Sequence, residues 1–189
     1  NLLDADRNLK LLKTAKLNLL DEKIGLYTLF PMDLNLLGDY MGFAGNEAGE
    51  PYYYANGGVW PHGNSWYALS LISNGLNSEA YQFLKRTMTL DGIINSPNGQ
   101  PALYEYRVSD KNNPANYGKI DKPQFLWAGG WYFYTLYNLF GLRENEWNIS
   151  FKPYLPEDLD LVKFKLTLGN RLVDIEIIGE AQNVSSIMY

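Results

Sequence analysis

The spacing of apolar residues changes near Arg143, and this change limits the fold more than any other feature of the 189-residue chain. Before Arg143, apolar side chains recur at helical spacing, which predicts amphipathic helices. After it, apolar and polar residues alternate, as at Val162, Phe164 and Leu166, which predicts strands with one apolar face. The sequence therefore predicts helices over 2–20, 64–74, 78–90 and 124–140, and strands over 148–152, 161–168 and 172–178.

The connections between these elements carry turn signals. Gly75 is predicted to stop the helix over 64–74, and Asn77 or Ser78 to cap the next one. Gly169 and Asn170 form a hairpin signal between the last two strands. The stretches 25–51 and 91–122 are rich in Gly, Asn and Pro and are predicted to be loops, and loops of that length in a compact domain are usually functional.

Composition excludes several classes of function. A net charge of −5 without a basic run argues against nucleic-acid and charged-membrane surfaces. The chain has no Cys and one His, which argues against disulfides and Cys- or His-rich metal sites. Charged residues interrupt every N-terminal apolar run, so neither a signal peptide nor a membrane span is expected, as in a cytoplasmic protein.

Aromatic residues make up 15% of the chain, which is more than a core of this size needs. Sugars present flat C–H faces flanked by hydroxyls, so sugar sites combine aromatic platforms with amide, carboxylate and imidazole groups. Tyrosine and tryptophan also pack cores and form protein interfaces. Composition alone favours neither interpretation.

The most informative segment is 57–66, Gly-Gly-Val-Trp-Pro-His-Gly-Asn-Ser-Trp. It places Trp60, His62, Asn64 and Trp66 around a turn that opens a helix, where free N–H groups can meet an oxygen-rich ligand. Glycines on both sides allow close backbone approach. A lone His is more often structural, but the flanking Gly, Asn and Trp residues favour a sugar-binding role here.

A second segment places Glu105 between Tyr104 and Tyr106. An aromatic, partly dry environment can tune a carboxyl group for acid–base chemistry. The alternative is an ordinary solvent-exposed Glu in a loop.

A third segment, 124–131, sets Ala-Gly-Gly between Trp127 and Trp131. Small residues there let the first turn of a helix lie close to a ligand. They would equally serve tight packing between helices, and the pattern favours neither alternative.

In this order, the three segments resemble the last third of six-hairpin, (α/α)6-barrel sugar enzymes, and most nearly the cellobiose and chitobiose phosphorylase family. The stretches 139–143 and 149–156 resemble the way that family leaves its barrel and enters β-structure. The resemblance implies a mainly α fold: a partial (α/α)6 toroid over 1–145, with long loops, followed by antiparallel strands over 146–189. Four helices do not close a barrel, and three strands leave open edges, so a missing N-terminal part or a partner chain is expected to complete it.

Residue roles follow from the resemblance where the residues match. His62 matches a phosphate-contacting His of the phosphorylases, but Leu126, Trp127 and Ala128 stand where those enzymes have hydroxyl residues. Related barrel hydrolases match better, and by that resemblance Glu105 would be the general base that activates water. Inverting hydrolysis also needs a general acid. Asp33 and Asp39 are the only upstream candidates.

The expected function is cleavage of glycosidic bonds in gluco-oligosaccharides by inverting hydrolysis. Glu105 is the expected catalytic residue, and the expected substrate-binding residues are Trp60, His62, Asn64, Trp66, Tyr104, Trp127 and Trp131. Phosphorolysis, with inorganic phosphate as co-substrate, is one alternative. A non-catalytic carbohydrate-binding or structural subunit is the other. No metal or organic cofactor is implied.

Overall fold

The computed structural model describes residues 4–34, 49–88, 94, 96–99, 103–123, 125–144 and 148–179. Its helices are α1 (Ala5–Leu19), α2 (Pro61–Ser73), α3 (Asn77–Thr87) and α4 (Gly129–Leu139). Its strands are β1 (Leu20–Asp21), β2 (Gly25–Leu26), β3 (Tyr104–Arg107), β4 (Ile120–Pro123), β5 (Leu142–Glu144), β6 (Ile149–Phe151), β7 (Leu161–Leu168) and β8 (Arg171–Ile178). Consecutive strands pair as two-stranded antiparallel sheets.

The expectation of a mainly α chain forming part of an (α/α)6 toroid is wrong. The fold is mixed, with 35% helix and 26% strand, and the described residues form no helical toroid. The error lies in the stretches that were expected to be loops, because β3 and β4 both fall in or at the edge of 91–122 and pair with each other. Strands of two to four residues are too short for an alternating pattern to reveal them.

The chain divides into two compact units, Asn1–Thr135 and Leu136–Tyr189. The division expected after residue 145 stays a prediction, and residues 145–147 lie outside the described ranges.

In the first unit, α1 begins where the Asp4 side chain accepts a hydrogen bond from the Arg7 N–H at 2.9 Å. This N-cap satisfies one of the free N–H groups of the first helical turn. The predicted helix over 2–20 is observed as α1, except that Leu20 belongs to β1 and that residues 1–3 lie outside the described ranges.

The predicted pair of helices, α2 and α3, is confirmed. Gly75 takes a left-handed conformation with φ 79° and ends α2, and its N–H donates to the Ile72 carbonyl. The Tyr67 and Phe83 rings meet between the helices at 5.1 Å. The expected cap at Asn77 or Ser78 is wrong, because the N-cap of α3 is Leu76 and makes no side-chain capping bond.

Single backbone bridges hold the middle of this unit together. Val59 lies fully buried between Tyr27 and Arg107 and pairs antiparallel with both. Its N–H donates to the Arg107 carbonyl at 3.0 Å, and the Arg107 N–H donates back at 2.9 Å. These bridges fix the chain immediately before α2, and so they fix the position of the residues at the start of that helix.

In the second unit, the predicted strands are observed as β6, β7 and β8, and β7 turns into β8 at Gly169, where φ is 59°. On one face of this hairpin the Phe164 ring contacts Tyr137 at 5.6 Å and Phe151 at 6.5 Å. On the other face, cross-strand ion pairs join Lys163 to Glu176 and Lys165 to Asp174.

Each helix in the described ranges is too short or too polar to cross a lipid bilayer.

Candidate functional site

His62 lies in the first turn of α2, inside a cluster of tryptophans. Pro61 occupies the first helical position, which its fixed φ favours. The His62 ring contacts Trp60 at 4.9 Å, Trp66 at 4.9 Å and Trp127 at 4.2 Å between centroids. Trp66 reaches it because residues four apart lie on the same helix face. The structure thus brings four of the predicted substrate-binding residues together.

The imidazole of His62 is buried, with 3% of the residue exposed. Burial lowers its pKa below the ordinary value, because the charged form loses its water. Nδ1 is buried and has no hydrogen-bond partner. Buried polar atoms are almost always paired, so an orphaned one needs an explanation, and a hydrogen bond to an absent ligand is one.

A cleft of about 790 Å³ lies beside this cluster, within the size range of small-molecule sites. It is lined by residues of α1, residues 26–28 and α2, and its lining includes Trp60, His62 and Trp127. The polar residues along the cleft include Asn8, Tyr27, Thr28, Ser70, Ser73 and Asn74. It combines aromatic faces with hydroxyl and amide groups.

A second, shallower groove of about 480 Å³ shares Trp127 with the cleft and runs onto α4. It is lined by Trp127, Gly130, Trp131 and Tyr134. The Trp131 ring stands edge-on to Trp66 at 5.5 Å and to Tyr134 at 6.3 Å. Trp131, the fifth predicted substrate-binding residue, therefore contacts the His62 cluster through Trp66.

A row of rings continues from this cluster towards β3. The Trp60 indole N–H donates to the Tyr54 carbonyl at 3.1 Å, and the two rings lie 5.2 Å apart. Tyr54 in turn meets the Tyr106 ring at 5.7 Å. The Tyr54 ring also lies 5.4 Å from the ammonium of Lys122, the ion-pair partner of Glu105, so this contact links the His62 cluster to the predicted catalytic carboxylate.

Glu105 lies opposite Lys122 in the β3–β4 register and forms an ion pair with it at 2.5 Å. Its side chain is 12% exposed. The Lys122 ammonium also lies 5.4 Å from the Tyr54 ring centre, and the hydrogen bond to Glu105 raises the Lys122 pKa. Tyr54 and Lys122 both have left-handed backbones, with φ 39° and 45°. Strained backbone of this kind clusters at functional sites.

Two predicted substrate-binding residues point into the protein instead. The Asn64 amide accepts a hydrogen bond from the Leu26 N–H at 2.9 Å and donates towards the Met88 sulfur at 3.9 Å. Tyr104 is fully buried, with the Arg107 guanidinium over its ring at 5.5 Å. Both side chains hold the fold around the site.

The predicted general acids are not assigned by the structure. Asp33 is an exposed residue of the segment 31–34, and Asp39 lies outside the described residues.

Sequence reasoning missed Asp21, a carboxylate that is 2% exposed. It accepts hydrogen bonds from the Lys23 N–H at 2.8 Å, the Tyr27 hydroxyl at 3.3 Å and the Tyr117 hydroxyl at 2.9 Å, and it pairs with Lys111 at 3.0 Å. Burial raises the Asp21 pKa, but these donors outweigh burial and hold it below its ordinary value. No local pattern marks Asp21, because two of its partners come from a distant loop.

Tyr54 and Lys122 were also missed. One signal could have found Lys122: two short segments that can pair as antiparallel strands, Tyr-Glu-Tyr-Arg and Ile-Asp-Lys-Pro. No protein-family model matches this chain, and no curated protein is similar to it, so the contacts around His62 and Glu105 carry the functional conclusion.

Proposed function

We propose that this chain is the sugar-binding part of an enzyme that cleaves glycosidic bonds in gluco-oligosaccharides. One observation carries the proposal: His62 has an orphaned, buried nitrogen among Trp60, Trp66 and Trp127, and all four residues line a cleft of about 790 Å³. A sugar ring offers both an apolar face for the indoles and hydroxyls for the imidazole.

The chemistry of the cleft fits a sugar better than a purely apolar ligand. Tyr27, Thr28 and Ser70 line it together with the indoles. Their hydroxyls donate to groups of the protein, and each hydroxyl oxygen also has lone pairs that can accept a hydrogen bond from a sugar. Ligand sites are mostly apolar, with a few polar groups that fix orientation. A neutral sugar also suits the chain's net charge of −5, which would repel an anionic ligand at long range.

The binding step can be tested by calorimetric titration of the full chain with gluco-oligosaccharides. We expect His62→Ala and Trp60→Ala each to weaken binding about tenfold or more, which corresponds to about 1.4 kcal/mol. Phe133→Ala is the matched control, because Phe133 is an aromatic residue of α4 that is 60% exposed and lines neither cavity. The proposal fails if no gluco-oligosaccharide binds, or if the control weakens binding as much as the two site variants.

The proposed reaction is inverting hydrolysis with Glu105 as general base. The Glu105 carboxylate takes a proton from a water molecule while the water oxygen bonds to the anomeric carbon, and the glycosidic oxygen leaves with a proton from an acid. Glu105 is now paired with Lys122, so this ion pair must open to admit the water. The acid would come from outside the described residues, in the same protein or in a partner chain.

Turnover separates hydrolysis from its alternatives. Reducing sugar and sugar 1-phosphate are measured with and without inorganic phosphate, using the full chain and Glu105→Gln. Hydrolysis predicts reducing sugar without phosphate, and its loss in Glu105→Gln while binding is retained. Turnover that strictly requires phosphate would make the reaction phosphorolysis. Sugar binding without any turnover, even when the chain is joined by the part of the protein or the partner that supplies the acid, would instead identify a non-catalytic binding module.

A further inference from the structure

We infer that the site takes an extended oligosaccharide, with one ring in the cleft at His62 and the next ring in the groove on α4, against Trp131 and Tyr134. This inference rests on the proposed function, because it extends the sugar site that His62 defines. It adds a second binding position and a minimum length for the ligand.

Trp127 connects the two positions. Its indole lines both the cleft and the groove, contacts His62 at 4.2 Å and is half exposed. Among the lining residues, Trp127 is the one that the cleft and the groove share, so a ligand that fills both cavities would contact it in each.

The groove is built from groups that suit a flat ring. Trp131 and Tyr134 are three residues apart on α4, so they lie on the same helix face, and both are about two-fifths exposed. Their planes are nearly perpendicular, at 84°. Together the two rings offer apolar surface on which the C–H face of a sugar ring can pack.

The groove floor carries no side chain. Gly130 lines the groove, and a Cβ added there would meet no atom within 4 Å. Gly130 has an ordinary helical backbone, so neither packing nor conformation requires a glycine at this position. Gly129, its neighbour, does not line the groove, and a Cβ there would only touch Leu103 at 3.6 Å.

Phe133, a third exposed aromatic residue of α4, lies outside the groove. It is more exposed than either groove ring and lines neither cavity. It stands about 200° around the helix from Trp131, so a glycan in the groove would not contact it. Phe133→Ala is therefore a control for the loss of an exposed aromatic ring elsewhere on α4.

The experiment measures affinity for glucose and for a series of gluco-oligosaccharides of two to four units. In the wild-type chain we expect each of the first added units to tighten binding several-fold. In Gly130→Leu this gain should disappear while affinity for the shortest ligand that binds is kept, because the new side chain fills only the groove. Gly129→Ala is the control and should keep the gain. Because both changes replace glycine in a helix, neither should lower the melting temperature.

The outcomes separate this inference from the proposed function. Binding that does not depend on ligand length, or a length-dependent gain that survives Gly130→Leu, overturns the inference and leaves the sugar site at His62 intact. A gain that is lost equally in Phe133→Ala also overturns it, because the added sugar units would then not be bound by the groove. If no saccharide binds the wild-type chain, the proposed function fails, and the inference fails with it.

Discussion

Asp21 and His62 are both buried titratable side chains in the same compact unit, but their surroundings differ. Asp21 receives donors from its own turn and from the loop that holds Lys111 and Tyr117. His62 is surrounded by indoles, and its Nδ1 has no partner. A buried polar group with all its hydrogen bonds made stabilises the fold. A buried polar group without a hydrogen-bond partner lowers the free energy of unfolding, and it can bind a ligand. This difference, together with the cleft that His62 lines with three tryptophans, separates a structural centre from a candidate binding site.

The comparison predicts its largest effect at Asp21. Asp21→Ala should lower the free energy of unfolding by about 3 kcal/mol, because it leaves the Lys23 N–H and the hydroxyls of Tyr27 and Tyr117 without their acceptor. Urea unfolding measures the change. The control is Glu22→Ala, which removes an exposed ion pair to Arg86 and should cost about 1 kcal/mol or less. If the two variants are equally stable, Asp21 is not a structural centre.

A smaller effect is expected at His62. His62→Phe replaces the imidazole by an apolar ring of similar shape and should change the free energy of unfolding by less than about 1.5 kcal/mol in either direction. Removal of the orphaned nitrogen offsets the cost of the larger ring. The same variant should lose sugar binding by calorimetry. A loss of stability as large as that of Asp21→Ala would mean that His62 is a structural residue too.

The smallest effect is the dependence of stability on pH. The pKa of His62 is lowered in the folded chain, so between its folded value and the ordinary value of 6.5 the unfolded chain binds more protons. Stability should therefore fall as the pH drops below about 6.5. His62 is the only His of the chain. In His62→Phe the melting temperature should therefore depend much less on pH between pH 7 and 5 than it does in the wild-type chain. If the melting temperature of that variant depends on pH as strongly as in the wild-type chain, His62 is not the group responsible.

Asp21 titrates in a different range, which sharpens the comparison. The pKa of Asp21 in the folded chain is lowered from 3.8. Its contribution to the free energy of unfolding is therefore fully present well above pH 3.8 and is lost as the pH falls through the folded pKa. Asp21→Asn should consequently keep the slope between pH 7 and 5, although the whole melting curve shifts to lower temperature.

Local patterns explain what the sequence could predict. Helical spacing located α2 and α3, and Gly75 marked the end of α2. Alternation located β7 and β8. In the candidate site, the short spacing from Trp60 to Trp66 was enough to single out His62, because its ring contacts there are local.

Contacts between distant segments explain what the sequence could not predict. Tyr117 lies 96 positions from Asp21, and no spacing rule connects them. The expected toroid was wrong for the same reason, because β3 and β4 are stabilised by each other rather than by a pattern within either segment. Asn64 looked like a ligand group, but its amide holds the Leu26 turn, a contact visible only after folding.

The bridges of Val59 to Tyr27 and Arg107 also have a consequence for synthesis of the chain. A chain made from its N-terminus presents Tyr27 and Val59 well before Arg107 leaves the ribosome. During that interval the Arg107-facing edge of Val59 is unpaired, and open strand edges attract other chains. Pairing between segments far apart in sequence is also slow. The nascent protein therefore passes through a period in which Val59 can pair with Tyr27 but not yet with Arg107. Chaperone protection should matter most in that period.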